Sequence, residues 1–73
     1  MKPLTSREME AMLRRRGWIE VSQRGSHRKF ILPSDPSKRA ILPVHLGEDL
    51  TPGVQRSVMR AAGITRAEVE NRT

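Results

Sequence analysis

Apolar side chains near the amino end fall at Leu4, Met9, Met12 and Leu13, and the last three, at i, i+3 and i+4, make one stripe along a helix. Thr5 followed by Glu8 is a capping box, and Leu4 before the cap with Met9 inside the helix makes a hydrophobic staple. The spacing predicts a helix from about Ser6. Arg14, Arg15 and Arg16 crowd its last turn, where they complement the dipole, and Gly17 supplies a left-handed stop. From Trp18 the period drops to two, so residues 18–23 read as a strand with Ile19 and Val21 on one face and Trp18, Glu20 and Ser22 on the other. Arg24 and Gly25 sit where a tight turn is expected. A second strand follows over 26–32, with Phe30 and Leu32 on one face and His27, Lys29 and Ile31 on the other.

Residues 33–37 are dense in turn formers, and 39–44 are again extended and apolar, a third strand whose end at Pro43 belongs at a sheet edge. Thr51 then Pro52 is a cap with proline at the first helical position, and Val54, Val58, Ala61 and Ala62 form the stripe of a second helix. Gly63 stops it, with Ile64 placed to pack back on Met59. A second capping box, Thr65 to Glu68, opens a short last turn expected to fray. The order is α-β-β-β-α with a short terminal α: an α+β fold in which a three-stranded antiparallel sheet carries both helices on one face, the compact way to bury both stripes. The other face is left open, and strand parity puts His27 and Lys29 on it. With no repeat and no linker, residues 1–73 read as a single domain.

Size limits what such a chain can do. A 73-residue domain buries roughly 60% of its unfolded surface and has no room for a deep substrate cavity, so its function belongs on its surface. The absence of Cys removes disulfides, thiolate nucleophiles and Cys-based zinc sites, and it fits a cytoplasmic protein. The longest apolar stretch, residues 40–46, is interrupted by Pro43 and His45 and falls far below the roughly 18 residues a spanning helix needs. The charged amino end lacks the apolar segment of a signal peptide. Charge adds direction: 14 Lys and Arg against 8 Asp and Glu give +6. The excess is uneven, with five basic against three acidic groups in 1–20, five against one in 21–40 and four against four in 41–73. The most positive segment lies among Trp18, Ile19, Phe30 and Leu32, inside the fold, and its natural partner is a polyanion.

The run from Gln23 to Phe30 carries the candidate chemistry. His27 begins a strand beside Arg24, Arg28 and Lys29. RNA cleavage needs a group that takes a proton from a 2′-hydroxyl or gives one to the leaving 5′ oxygen; imidazole suits either role, and the cations suit the phosphate. Spacing alone leaves His27 open between that role and a solvated strand histidine. Gly25 reads both as a turn residue and as a place where backbone N–H groups approach a phosphate, with Ser26 beside it. His45 reads as a surface-loop histidine, Trp18 as cover for a core edge, and Arg14 to Arg16, Arg56 and Arg60 as solvated helix surface. The carboxylates show no ligand spacing with either histidine, so metal-free chemistry is expected. One Phe, one Trp and no Tyr provide no stacking platform for single strands.

Ser6, Arg7 and Glu8 open the first helix, Gly17 and Trp18 close it, Gly25, Ser26 and His27 are followed by Phe30 three on, and Pro43, Val44 and His45 precede LTPGVQRSVMRAAGI over 50–64. On these residues the chain resembles the HicA family of toxin ribonucleases, paired with HicB antitoxins. The resemblance implies a double-stranded-RNA-binding-domain-like fold and the toxin of a type II toxin–antitoxin system. It further implies metal-independent, ribosome-independent cleavage of mRNA, with His27 catalytic, Arg24, Gly25, Ser26, Arg28 and Lys29 binding RNA, and a HicB-like antitoxin as inhibitor. It implies no membrane and no small-molecule cofactor. Many relatives carry a second histidine after the catalytic one, where this chain has Arg28, so a two-histidine mechanism would have to recruit His45. Two rival readings are a non-catalytic RNA-binding domain and a helix-turn-helix DNA binder over 54–71. The neutral charge of the carboxyl half speaks against the second.

Overall fold

The computed structural model describes residues 2–45 and 47–71; Leu46, the end of the apolar stretch, lies outside them. The elements run α1 (Ser6–Arg15), β1 (Ile19–Arg24), β2 (His27–Leu32), β3 (Asp35–Pro43), α2 (Pro52–Ala62) and α3 (Arg66–Glu70), the α+β order expected. The three strands form one antiparallel sheet in the order β1-β2-β3, which makes β2 central. Local chemistry sets the helix ends. Thr5 accepts from the Glu8 N–H while Glu8 accepts from that of Thr5, and both staple residues, Leu4 and Met9, are fully buried. Gly17, at φ +88°, and Trp18 donate their N–H groups to the carbonyls of Arg14 and Leu13, closing α1 with a Schellman motif.

Both helices cover one face of the sheet. Met9, Met12 and Leu13 of α1 and Val58, Met59 and Ala62 of α2 share one core with Phe30, Ala40 and Leu42 of the sheet. Phe30 is fully buried, a position where truncation to alanine typically costs about 3–5 kcal/mol. The amino-terminal segment is tied down by buried Gln55, whose Oε1 accepts from the Leu4 N–H at 2.8 Å and whose Nε2 donates to the Lys2 carbonyl at 2.8 Å. Here α2 supplies hydrogen bonds that a segment outside any strand lacks.

Four expectations change. The hairpin turns on Gly25 and Ser26 rather than Arg24 and Gly25, so β2 begins at His27 itself. The turn after β2 shrinks to Pro33 and Ser34, and β3 starts at Asp35, because residues 36–38 bulge out of register between the Leu32–Asp35 and Ile31–Arg39 pairs. In β1, Trp18 and Glu20 share the helix-facing side as expected, with Glu20 opposite Phe30, but a bulge at Val21 moves Ser22 off that side to stand opposite Lys29 on the open face. Ile19 and Val21 are consequently exposed, at 45% and 46%. The last turn is anchored: Val69 is fully buried, and the Arg16 guanidinium binds both carboxylate oxygens of Glu68.

Candidate functional site

The open face of the sheet is built by alternation. His27, Lys29 and Ile31 of β2 stand opposite Arg24, Ser22 and Ile19 of β1 and opposite Pro43, Ile41 and Arg39 of β3. Directly opposed residues share a face, so Arg24, His27 and Lys29 lie together on the side away from the helices. His27 is exposed because its neighbours along β2 that point inward, Arg28 and Phe30, take the packing positions. Among the described residues neither its imidazole nor the side chains of Arg24 and Lys29 have a hydrogen-bond or ion-pair partner.

The turn that delivers His27 is rigidly specified. Gly25 has φ +54° and Ser26 does not have positive φ, the pattern of a type II′ turn, which matches the twist of the flanking strands. Gln23 Nε2 donates to the Gly25 carbonyl at 3.1 Å, and the Val44 N–H donates to the Ser26 carbonyl at 2.6 Å. Both carbonyls are thus engaged, while among the described residues the N–H groups of Gly25 and Ser26 have no partner. These two N–H groups lie at the turn that joins Arg24 to His27.

Arg28 does not join this group. It faces α1, where its guanidinium lies 2.8 Å from Glu10 and 3.8 Å from Glu20. Arg14 shares both carboxylates and stacks over the Phe30 ring at 5.6 Å. The hollow of about 410 Å³ between α1 and the sheet is lined by Arg7, Glu10, Arg14 and Arg28, and of its cations Arg14 and Arg28 are already paired to glutamates. His45 is exposed two residues beyond the end of β3. It leaves the sheet at the end where Pro43 opposes His27.

Residues 6–64 match the family model of the HicA toxin of bacterial toxin-antitoxin systems. The chain belongs to the HicA toxin family. The match spans α1, the sheet and α2, and so includes the turn, His27 and the open face; it stops short of α3. No curated protein matches the chain. Membership makes this protein a toxin of a toxin–antitoxin pair. Among the described residues no helix of this HicA toxin is long and apolar enough to cross a membrane, and no three His, Asp or Glu side chains gather as a metal site would require.

The residues that reading along the chain did not bring out are Ile41 and Ile19, which join Ile31 on the open face. Ile41, 48% exposed, stands opposite Lys29, and Ile19 stands opposite half-buried Ile31. Ile41 could be placed only by pairing β3 with β2 in register, and Ile19 only by knowing the bulge in β1.

Proposed function

We propose that this HicA toxin is an endoribonuclease that cleaves mRNA at His27. The observation that carries the reading is the juxtaposition of exposed His27 with Arg24 across the hairpin and Lys29 two residues on, all on the open face and without partners among the described residues. The imidazole takes the proton of a ribose 2′-hydroxyl; the oxygen attacks the adjacent phosphorus and the P–O5′ bond breaks. A 2′,3′-cyclic phosphate forms on one fragment, and the departing 5′ oxygen takes a proton from water. Arg24, Lys29 and the N–H groups of Gly25 and Ser26 bind the phosphate and offset the charge that builds on it. This chemistry asks for no metal and no small-molecule cofactor. Arg28, paired with Glu10 on the far face, supports β2 rather than the substrate.

Among the described residues no segment covers His27, and control comes from a HicB-like antitoxin. Exposed Ile19, Val21 and Ile41 give that partner an apolar footing beside the cations. Incubating purified toxin with a mixed RNA, beside a His27→Ala variant, tests the assignment. The toxin is expected to leave cyclic-phosphate ends and the variant to leave the RNA whole. Cleavage by the variant at the wild-type rate would remove His27 from the mechanism and leave an RNA-binding domain contaminated by another nuclease.

A further inference from the structure

We propose a second RNA contact, a phosphate-binding cleft at the opposite end of the sheet from His27; it rests on the reading of this chain as an RNA-directed toxin. The cleft encloses about 420 Å³ between the bulge of β3 and the end of α2, with Trp18 and Leu32 in its wall and Lys38, Arg39 and Arg60 as its charged lining. Three cations from two separate elements converge there, and no carboxylate is among its lining residues. None of the three has an ion-pair partner among the described residues, whereas Arg14, Arg16, Arg28 and Arg66 are all paired to glutamates. Asp35, the acidic group nearest in sequence, accepts the Ser37 hydroxyl at 2.6 Å and does not line the cleft.

Arg60 lies in the last turn of α2, but it is not required to cap that helix. The carbonyls of Met59 and Arg60 are already taken by the N–H groups of Ile64 and Gly63. Lys38 sits in a bulge that removes it from the ladder, so its position serves no strand pairing. Such clustering of unpaired charge opposes folding slightly, and an anion relieves it.

Arg39, which lines the cleft, also links it to the open face. Arg39 stands opposite Ile31, on the same face as Lys29 and His27, so cations run along the open face from Arg24 to the cleft. From His27 to Leu32 β2 spans about 17 Å at roughly 3.4 Å per residue. A stacked strand rising about 3.4 Å per nucleotide covers that length in about five nucleotides. The RNA cut at His27 therefore has its flanking phosphates held at Lys38, Arg39 and Arg60, which gives the toxin a substrate of minimum length rather than a lone dinucleotide.

The experiment uses toxin carrying His27→Ala, so that RNA is bound and not cut, with and without Lys38→Gln, Arg39→Gln and Arg60→Gln together. Fluorescence anisotropy on single-stranded RNA gives affinity against salt. Lengthening the RNA from about 4 to about 8 nucleotides is expected to tighten binding, and the triple substitution to abolish that gain and lower the salt slope by about 2, at roughly 0.7 per phosphate contact. All three side chains belong to exposed residues, and Lys38→Gln alone, on the bulge, is expected to lower the slope by about 0.7. A length gain and slope that survive the triple substitution would overturn the cleft as an RNA site; loss of antitoxin affinity in the same variant would then assign it to an acidic protein segment. A toxin with His27→Ala alone that showed no salt-dependent RNA binding would instead overturn the RNA reading itself.

Discussion

The Arg28 guanidinium lies 2.8 Å from the Glu10 carboxylate, on the opposite face of the sheet from the adjacent residue His27. Alternation along one strand separates two neighbours in sequence into two jobs. The side chains of Arg28 and Glu10 retain 28% and 23% of their exposure, so the pair is partly desolvated, and the Nε of Arg28 is buried without a partner. Arg28→Ala is expected to destabilise the toxin by about 1–2 kcal/mol, more than an exposed pair contributes and less than a fully buried one. The slope of RNA affinity against salt should stay as it is. Urea denaturation and a salt titration check the two halves. A lowered slope with unchanged stability would return Arg28 to the RNA site.

The same pair shows what can be read along the chain and what cannot. Helix boundaries were legible because their causes are local: Thr5 and Glu8, Leu4 and Met9, Gly17, and Thr51 with Pro52 all lie within a few residues of the end they define. His27 and Lys29 on the open face were legible from parity within β2. Glu10 lies 18 residues before Arg28, and nothing local announces it. Trp18 was legible as core cover and is buried, but the face of Ser22 was not, since a bulge at Val21 breaks the alternation of β1. The cleft at Lys38, Arg39 and Arg60 required knowing where the end of α2 comes to rest.

Gly25 shapes the turn that presents His27, and its φ of +54° is one that side chains with a Cβ adopt at a cost of about 1–2 kcal/mol. A Cβ built there meets nothing within 4 Å, so the cost is one of backbone conformation alone. Gly25→Ala is expected to lower stability by about 1 kcal/mol, and Gly25→Asn, which tolerates positive φ, by less. Denaturation midpoints of the two variants decide the matter. Equal losses would mean that something other than the backbone angle demands glycine here.

Acid should release α3 from the body. Burial acts to raise the Glu68 carboxyl, but the Thr65 N–H and the Arg16 guanidinium together hold it below its ordinary value of 4.5. A carboxyl held low in the folded state contributes stability that is fully present above the ordinary range and is lost as pH falls through the lowered value. Protection of the Val69 amide from exchange should follow that loss, because Val69 is the buried residue of α3. Arg16→Gln is expected to move the loss to higher pH, toward the ordinary carboxylate range. An NMR titration of both proteins in which the Glu68 midpoint did not move would show that the guanidinium contributes nothing to holding α3.

The apolar residues on the open face separate toxicity from its control. Ile41 is 48% exposed and stands opposite Lys29, so it contributes little to the core while lying within reach of any protein that covers His27. Ile41→Thr keeps a β-branched residue in the strand and removes the apolar contact, leaving stability within about 0.5 kcal/mol. If a HicB-like antitoxin seats on this face, the variant should bind it about 5- to 10-fold more weakly, the effect of losing roughly 1 kcal/mol of contact. Adding Ile19→Thr, farther along the same face, should weaken it further. RNA cleavage by the free toxin should persist in both variants, because phosphate is held by the cations and not by the isoleucines. Titrating antitoxin into cleavage assays of the three proteins reads both properties at once. Inhibition curves that superimpose would place the antitoxin elsewhere, and the helices, which among the described residues carry unpaired Arg7, Arg15 and Arg56, would then be the surface to vary.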